Sequence, residues 1–300
     1  MVSELNMADA NEDNPKSAQR QPPRSRFVPE IQQGMRVEER DQQLLCDLFL
    51  HGLMLRGQIE RLYFSSTARC NARLRLLFDH KFVARAFPPY APFGAQAIYS
   101  VGKAALPIVA RRLEMDLPDV TRTYRRTKTP TFIEHTLASV DVYLAFRDAV
   151  RGRQDVFIER YLAELQCRHE WDIRMPGGAW RKEVFKPDGF VRLETLEGYC
   201  DYFLEVDLGH TSSRQFLGKL LTHERYLESG LFEQTYGVPT FRTLVVTTGA
   251  RRLRNLRALV EEQNSRLFWL TTLEKCATDI LGPVWDVPLV RESVPLITPF

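Results

Sequence analysis

Two short apolar runs within residues 186–207 constrain the fold of this chain more than any other feature. Residues 190–193 and 202–206 are rich in aromatic and β-branched side chains, and Gly198 with charged neighbours separates them. This pattern predicts two neighbouring strands joined by a short turn.

Carboxylates flank both predicted strands. Asp188 precedes the first strand, and Glu205 and Asp207 lie near the end of the second. Residues two apart on a strand point to the same face, so Glu205 and Asp207 are expected to project together. Converging carboxylate oxygens suit Mg²⁺, which completes its coordination with water and phosphate oxygens. We therefore predict Asp188, Glu205 and Asp207 as metal ligands and catalytic carboxylates; the alternative is that these strand-end acids are only solvated.

The order Pro187-Asp188, strand, Glu205-Val206-Asp207 resembles the PD-(D/E)XK nucleases. The resemblance implies a nuclease-like α/β domain that acts on phosphodiesters. One position departs from the pattern, because the lysine of that family would fall where this chain has Asp207. A carboxylate cannot stabilise developing negative charge as a lysine does. Either another cation substitutes, or the site does not cleave.

A candidate for the missing cation lies in the next segment, residues 213–229. Its apolar residues recur at helical spacing: Phe216, Leu217, Leu220, Leu221 and Leu227. Lys219, His223 and Tyr226 lie at the margin of that face, so a helix packed on the sheet can bring Lys219 to the carboxylates. We predict Lys219 as the catalytic lysine; the alternative is that it flanks the core and extends to water.

Length and charge set broader limits. A chain of 300 residues suggests two domains, and a formal net charge of +3 means that any nucleic-acid surface must come from local clustering. The five cysteines are scattered without a C-x-x-C pair, which predicts neither a zinc site nor a disulfide framework. Without a long apolar run or a signal-like N-terminus, the expected location is the cytoplasm, with no membrane contact.

Residues 1–34 are rich in Asn, Gln, Pro, Ser and Arg and poor in large apolar residues, which predicts a disordered tail. From residue 35 to 118 the pattern predicts three short helices followed by two strands, at residues 82–87 and 96–101. The third helix follows N-cap candidates at residues 65–67 and buries an apolar stripe: Cys70, Leu74, Leu77 and Phe78. This order predicts an N-terminal winged helix-turn-helix.

The other side of the third helix has the composition of a DNA recognition helix. It carries Arg69 and Arg73, flanked by Asn71 and Arg75, which are side chains that read base edges and bind phosphates. Seven Lys or Arg against two acids lie between residues 56 and 85. The predicted partner is double-stranded DNA. Its predicted contacts are Arg69, Asn71, Arg73, Arg75, Lys81, Arg85, Arg125 and Arg126. The alternative is a small helical protein-interaction module.

Arg125 and Arg126 belong to a basic linker predicted for residues 119–131, which can follow a phosphate backbone without reading sequence. Residues 132–300 are then predicted to form the nuclease-like domain. Its first segments, 132–146 and 155–167, show helical spacing and are expected to cover the sheet. His135, near the start of the first segment, is expected to have a capping or core role.

The chain as a whole is similar to the replication-relaxation family of plasmid and mobile-element proteins. The resemblance spans roughly residues 40–280 and rests on four segments: residues 135–141, 186–189, 203–209 and 219–226. It implies an α+β chain in which a winged helix precedes a nuclease-like domain. The implied function is DNA binding connected with replication, mobilisation or relaxation.

We therefore predict a DNA-binding protein of a plasmid or mobile element whose nuclease-like domain is weakly active or inactive. One alternative is a Mg²⁺-dependent endonuclease targeted by its winged helix. Another is a structural adaptor that holds a relaxase or a second copy of itself.

Overall fold

A three-stranded sheet and a five-stranded sheet, each with its own helices, follow one another along the chain, and a two-stranded hairpin accompanies the second. The computed structural model describes residues 28–87, 96–125, 129–174 and 177–297. The tail predicted for residues 1–34 lies outside the described residues up to residue 27, and so does the predicted DNA contact Arg126.

The first region contains five helices and a small antiparallel sheet in the order β1-β3-β2. Its elements are α1 (Glu39–His51), β1 (Met54–Leu55), α2 (Arg56–Tyr63), α3 (Thr67–Asp79), β2 (Val83–Ala86), β3 (Ile98–Val101), α4 (Leu106–Arg112) and α5 (Leu117–Tyr124). Gly52 follows α1 with a φ of 89°, a conformation that glycine adopts without strain. Ser66 caps α3 by accepting a hydrogen bond from the Arg69 backbone N–H.

Helix α5 occupies part of the stretch, residues 119–131, that is predicted to be a linker. Pro118 lies in the first turn of α5, where a missing N–H leaves no helical hydrogen bond unmade. Val120 is fully buried in the core of the first region. The helix is only eight residues long, and its sequence continues into the basic residues Arg125, Arg126 and Lys128, a composition that is typical of a linker.

The second region is built on a five-stranded mixed sheet in the order β10-β9-β8-β7-β4. Strands β4, β7 and β8 pair antiparallel, whereas β8, β9 and β10 pair parallel. The elements are α6 (Pro130–Ala149), β4 (Val156–Ala163), β5 (His169–Arg174), β6 (Trp180–Phe185), β7 (Gly189–Thr195), β8 (Gly198–Asp207), α7 (Ser213–Glu228), α8 (Leu231–Tyr236), β9 (Arg242–Thr247), α9 (Ala250–Glu262), β10 (Phe268–Thr272) and α10 (Leu273–Asp279). The predicted mixed α+β class is confirmed. No helix among the described residues has the length and apolar character needed to cross a bilayer.

The helix predicted for residues 155–167 is wrong, because the chain forms strand β4 there. The register of β4 against β7 shifts between Ile158 and Arg160, which is a β-bulge. A bulge adds a residue to one strand and breaks the alternation of inward and outward side chains. The apolar residues of β4 consequently fall at a spacing that imitates a helix.

The two faces of β8 meet different layers. Leu204 and Val206 belong to a core that includes α6 and α10, whereas Phe203 belongs to a core that includes α7 and α9. Glu205 and Asp207 share the face of Phe203, since residues two apart on a strand point the same way. The predicted placement of these two carboxylates on one face is therefore confirmed.

Helix α6 belongs to the cores of both regions. Val140 and Leu144 pack in the core of the first region, and Val142 and Phe146 pack in the core below the five-stranded sheet. From α2, the Gln58 side-chain amide donates to the Leu137 carbonyl at 2.9 Å. A helix that is apolar on several sides is one that is covered on several sides.

Candidate functional site

The predicted acidic site forms where β8 ends beside the start of β7. The Asp188 backbone N–H donates to the Leu204 carbonyl at 2.9 Å, which holds Asp188 next to the last residues of β8. Glu205 and Asp207 are both buried. The structure thus brings all three predicted carboxylates to one end of the sheet. We call these carboxylates and the side chains that bind them the acidic edge.

Glu205 is bound by two side chains of α7. The Lys219 ammonium donates to Glu205 Oε2 at 2.5 Å, and His223 Nε2 lies 2.9 Å from Glu205 Oε1. The other ring nitrogen of His223 lies 2.8 Å from the Thr243 hydroxyl of β9. The charge of Glu205 raises the pKa of Lys219, so the ammonium remains protonated. The contact predicted between Lys219 and the acidic edge is present.

Asp188 is bound by a backbone N–H of β8 and by a side chain of α6. Its Oδ2 accepts a hydrogen bond from the Val206 backbone N–H at 2.7 Å and lies 3.0 Å from His135 Nε2 on α6. Burial alone would raise the pKa of Asp188, but the charge of Lys219 and the hydrogen bond from His135 lower it to about 2. For His135, burial opposes protonation, yet the hydrogen bond and charge of Asp188 raise the pKa above its ordinary value. The arrangement favours an Asp188 carboxylate beside a protonated His135.

Asp207 forms a two-point ion pair with Arg252, which lies in the first turn of α9. Arg252 Nε donates to Oδ1 at 2.9 Å and Nη2 donates to Oδ2 at 2.8 Å. The Gly209 backbone N–H also donates to Oδ1, at 2.8 Å. Arg252 makes a further hydrogen bond to the Thr211 carbonyl at 2.6 Å. Paired, parallel hydrogen bonds of this kind are strong and geometrically specific.

These contacts decide how well the carboxylates suit Mg²⁺. Both oxygens of Glu205 and both oxygens of Asp207 are held by cations, histidine or backbone N–H groups. Within the described ranges, no group of three or more His, Cys, Asp or Glu side chains has the arrangement of a metal site. The donor set in this arrangement does not fit the ion, so Mg²⁺ binding stays a prediction without geometric support.

The Lys219 ammonium is the more exposed charged group of the Glu205–Lys219 pair. The side chain of Lys219 is 42% exposed, whereas that of Glu205 is 5% exposed. The carboxylates lie behind Lys219 and are neutralised by their partners. Chemically, the edge is a buried network of ion pairs with one partly exposed ammonium.

Three members of this network, His135, His223 and Arg252, are absent from the predicted site. His135 is expected to have a capping or core role, but it contacts Asp188 from α6, 53 residues away along the chain. No local sequence pattern predicts that contact. Arg252 has a weak signal, since α9 follows β9, and parallel β8 and β9 end at the same edge of the sheet.

The predicted DNA contacts of α3 divide into two groups. Arg69 and Asn71 are exposed on its outer face. Arg73 instead pairs with the buried carboxylate of Asp41 and donates to the Arg36 carbonyl at 2.7 Å. Arg75 pairs with Asp79 of the same helix at 2.7 Å. Arg73 and Arg75 are thus held by intramolecular acids, and DNA contact by the four residues stays a prediction.

The remaining predicted contacts lie at the margins of the first region. Lys81 is exposed in the turn between α3 and β2 and has a φ of 61°. The Arg85 guanidinium lies 4.0 Å from the centre of the Phe78 ring, a cation–π contact. Arg125 is exposed at the end of α5. These residues do not share one surface element with Arg69 and Asn71.

Comparison with known proteins supplies one match. A family model described as replication-relaxation matches residues 45–241, which run from within α1 to just beyond α8 and include the acidic edge except Arg252 and the partner of His223, Thr243. No curated protein and no solved structure matches the chain. The matched range covers most of the chain and both of its regions, so this protein belongs to the replication-relaxation family.

Proposed function

We propose that this protein binds duplex DNA through the outer face of α3, in the replication or relaxation of a plasmid or mobile element. Family membership supports the replication or relaxation role. The observation that carries DNA binding is the pair Arg69 and Asn71, exposed beside the small residues Ala68 and Ala72. Arginine and asparagine read base edges in the major groove, and alanine lets a helix approach closely.

The element order of the first region supports a winged helix-turn-helix as the fold that presents α3. Helices α2 and α3 are joined by a short turn, and the antiparallel pair β2 and β3 follows directly, in the position of a wing. In proteins with this arrangement, the second helix of the pair enters the major groove. Arg125 is in turn proposed as a phosphate contact that adds affinity without reading sequence.

The second region is proposed to keep a nuclease-like architecture with weak or no cleavage. Asp207 stands where the related nucleases carry a lysine, and Arg252 binds both of its carboxylate oxygens. Lys219 and His223 bind both oxygens of Glu205. Cleavage would require several of these contacts to open together, which opposes efficient catalysis.

A second candidate, a metal-dependent endonuclease, is favoured by the contact between Lys219 and Glu205. It places a lysine beside the carboxylates, as the chemistry of phosphodiester cleavage requires. The test is incubation of supercoiled plasmid with the full chain and Mg²⁺. We expect the plasmid to remain supercoiled; nicking that is lost in Lys219→Ala would establish this candidate instead.

DNA binding is tested by a band-shift titration with duplexes from the element's own origin or promoter. In a variant carrying Arg69→Ala and Asn71→Ala, we expect affinity for the preferred duplex to fall at least tenfold, since each base-edge contact contributes about 1–3 kcal/mol. Arg111→Ala is the matched control, because Arg111 is exposed on α4 of the same region. Equal affinity of the double variant and the wild type would exclude α3 as the reading helix.

A further inference from the structure

Strands β5 and β6 form a hairpin separate from the five-stranded sheet. They pair only with each other among the described strands, and Arg174 lies directly opposite Trp180 at the outer end. One face of the hairpin packs on α7, where the Phe185 ring stacks on Tyr226 with centroids 4.2 Å apart. Glu183 of the same face is bound by Arg225 of α7 at 2.8 Å. The hairpin is therefore anchored at its inner end.

The other face of the hairpin is turned to solvent. Paired residues in an antiparallel ladder share a face, so Trp180, Arg174, Lys182 and Val184 all lie on this side. Trp180 is 70% exposed, although indole rings gain much from burial. By contrast, Trp285 is fully buried. An indole that is exposed in this way contributes little to the stability of the fold, so we expect its role to lie in binding.

Two cations lie on the same face of the hairpin as Trp180. Arg174 lies opposite Trp180 at the outer end, and Lys182 lies opposite Asp172. Nearer the base, Glu170 pairs with Lys182 at 3.2 Å. Arg181 lies on the other face, which packs on α7, and pairs with Glu183 at 2.6 Å. A groove of about 800 Å³ between the hairpin and the end of α7 is lined by three guanidinium groups and two acids: Arg174, Arg181, Arg225, Asp172 and Glu228.

We propose that the exposed face at the outer end of this hairpin, formed by Arg174, Trp180 and Lys182, is a second DNA contact that stacks Trp180 on an unpaired base. The inference rests on the proposed function, since it assigns a further contact to the same ligand. Aromatic rings bind single strands by stacking on exposed bases, while cations follow the phosphates. A paired duplex hides the faces of its bases, so an indole at a hairpin end favours DNA that is locally open. The two cations beside the indole favour nucleic acid over an apolar protein partner.

The position of the hairpin connects this contact with the acidic edge. Strand β6 ends at Phe185, at the base of the hairpin, and Lys186 and Pro187 are the two residues between it and Asp188. The α3 face lies in the other region of the molecule. A protein with both contacts binds a duplex at one place and an unpaired strand at another.

The experiment uses the full chain and two labelled DNAs of the same sequence, a perfect duplex and a duplex with a short unpaired segment. We expect the wild type to bind the second DNA more tightly. Trp180→Ala should lower affinity for the DNA with the unpaired segment about tenfold and leave duplex affinity unchanged. Trp180→Tyr should retain most of the preference. Leu196→Ala is the matched control, because Leu196 is 86% exposed in the turn between β7 and β8.

The outcomes separate this inference from the proposed function. A variant with Arg69→Ala and Asn71→Ala should lose duplex affinity yet keep the preference for the unpaired segment. If that variant binds normally while Trp180→Ala loses the preference, the role of α3 fails and the hairpin contact stands. Wild-type affinity of Trp180→Ala for both DNAs overturns the hairpin contact. An equal loss on both DNAs overturns stacking on unpaired bases, since it would indicate insertion into the paired duplex.

Discussion

The outer face of α3 and the acidic end of β8 both carry polar or charged side chains, but these are exposed on α3 and buried in ion pairs on β8. On α3, Arg69 and Asn71 are exposed. At the end of β8, Glu205 and Asp207 are buried and bound by cations. The first surface has side chains to offer a ligand, whereas the second has used most of its hydrogen-bonding capacity within the protein.

This difference teaches that residue type alone does not identify a binding site. An exposed polar side chain can exchange water for a ligand at little cost to the fold. A buried carboxylate can bind a ligand only by giving up a partner, and an unpaired buried charge is strongly destabilising. Substitutions should therefore affect stability at the acidic edge and affinity at α3.

The largest expected effect is at the ion pair of Asp207. Arg252→Ala leaves the buried Asp207 carboxylate without its partner, so the free energy of unfolding should fall by about 3–5 kcal/mol. Urea denaturation of the full chain measures this change. Arg251→Ala is the control, because Arg251 is exposed one residue earlier on α9. Similar losses for the two variants would show that the acidic edge is not held by this pair.

Two histidines, His51 and His135, should change the free energy of unfolding in opposite directions as the pH falls. Burial lowers the pKa of His51 from 6.5 to about 4, so the unfolded chain takes up a proton at a pH where the folded chain does not. The contribution of His51 to stability is complete above pH 6.5 and is lost as pH falls towards 4. We expect a loss of about 3 kcal/mol, given that each unit of pKa corresponds to about 1.4 kcal/mol.

His135 should behave in the opposite way. Its folded-state pKa is raised, so its contribution is present below pH 6.5 and is lost as pH rises through the folded-state value. Urea denaturation at a series of pH values should show a smaller acid loss in His51→Phe and a smaller alkaline loss in His135→Asn. Parallel pH profiles of wild type and both variants would remove this contrast.

A smaller effect is expected at Lys219. Lys219→Met removes one partner of Glu205, but His223 remains 2.9 Å from the same carboxylate and the lysine side chain is 42% exposed. The free energy of unfolding should fall by about 1 kcal/mol. Arg214→Met, at an exposed position of the same helix, should change it less. A loss as large as that of Arg252→Ala would mean that Lys219 is the main support of the edge.

The smallest change in stability is expected on α3. Arg69→Ala with Asn71→Ala should alter the free energy of unfolding by no more than about 0.5 kcal/mol, because exposed side chains contribute little to the fold. The same double variant should bind DNA much more weakly. A large loss of stability would show that the α3 side chains support the fold as those of the acidic edge do, and would contradict the difference between the two surfaces.

The sequence predicts elements well where burial follows one period. Helices α3 and α7 appear at their predicted positions because their apolar residues recur at helical spacing. Strand β4 is missed because its bulge between Ile158 and Arg160 disturbs the period of two. Helix α5 is missed because it is only eight residues long and is followed by basic residues that are typical of a linker.

For the site, the sequence identifies acids that meet at one sheet end, together with Lys219. It does not identify their partners, since His135 and Arg252 reach the carboxylates from 53 and 45 residues away. Asp41 likewise captures Arg73 across 32 residues. Such pairings depend on how whole elements pack, which a local pattern does not encode.

The helix that both cores share, α6, bears on how this chain can be divided. A cut just before Pro130 would remove Val140 and Leu144 from the first core and Gln58's acceptor at Leu137. A fragment ending there would expose apolar surface and lose cooperativity with the rest of the molecule. The region that is proposed to read DNA and the region that contains the acidic edge therefore cannot be exchanged independently between related proteins. Either region would need to keep α6 to retain its core.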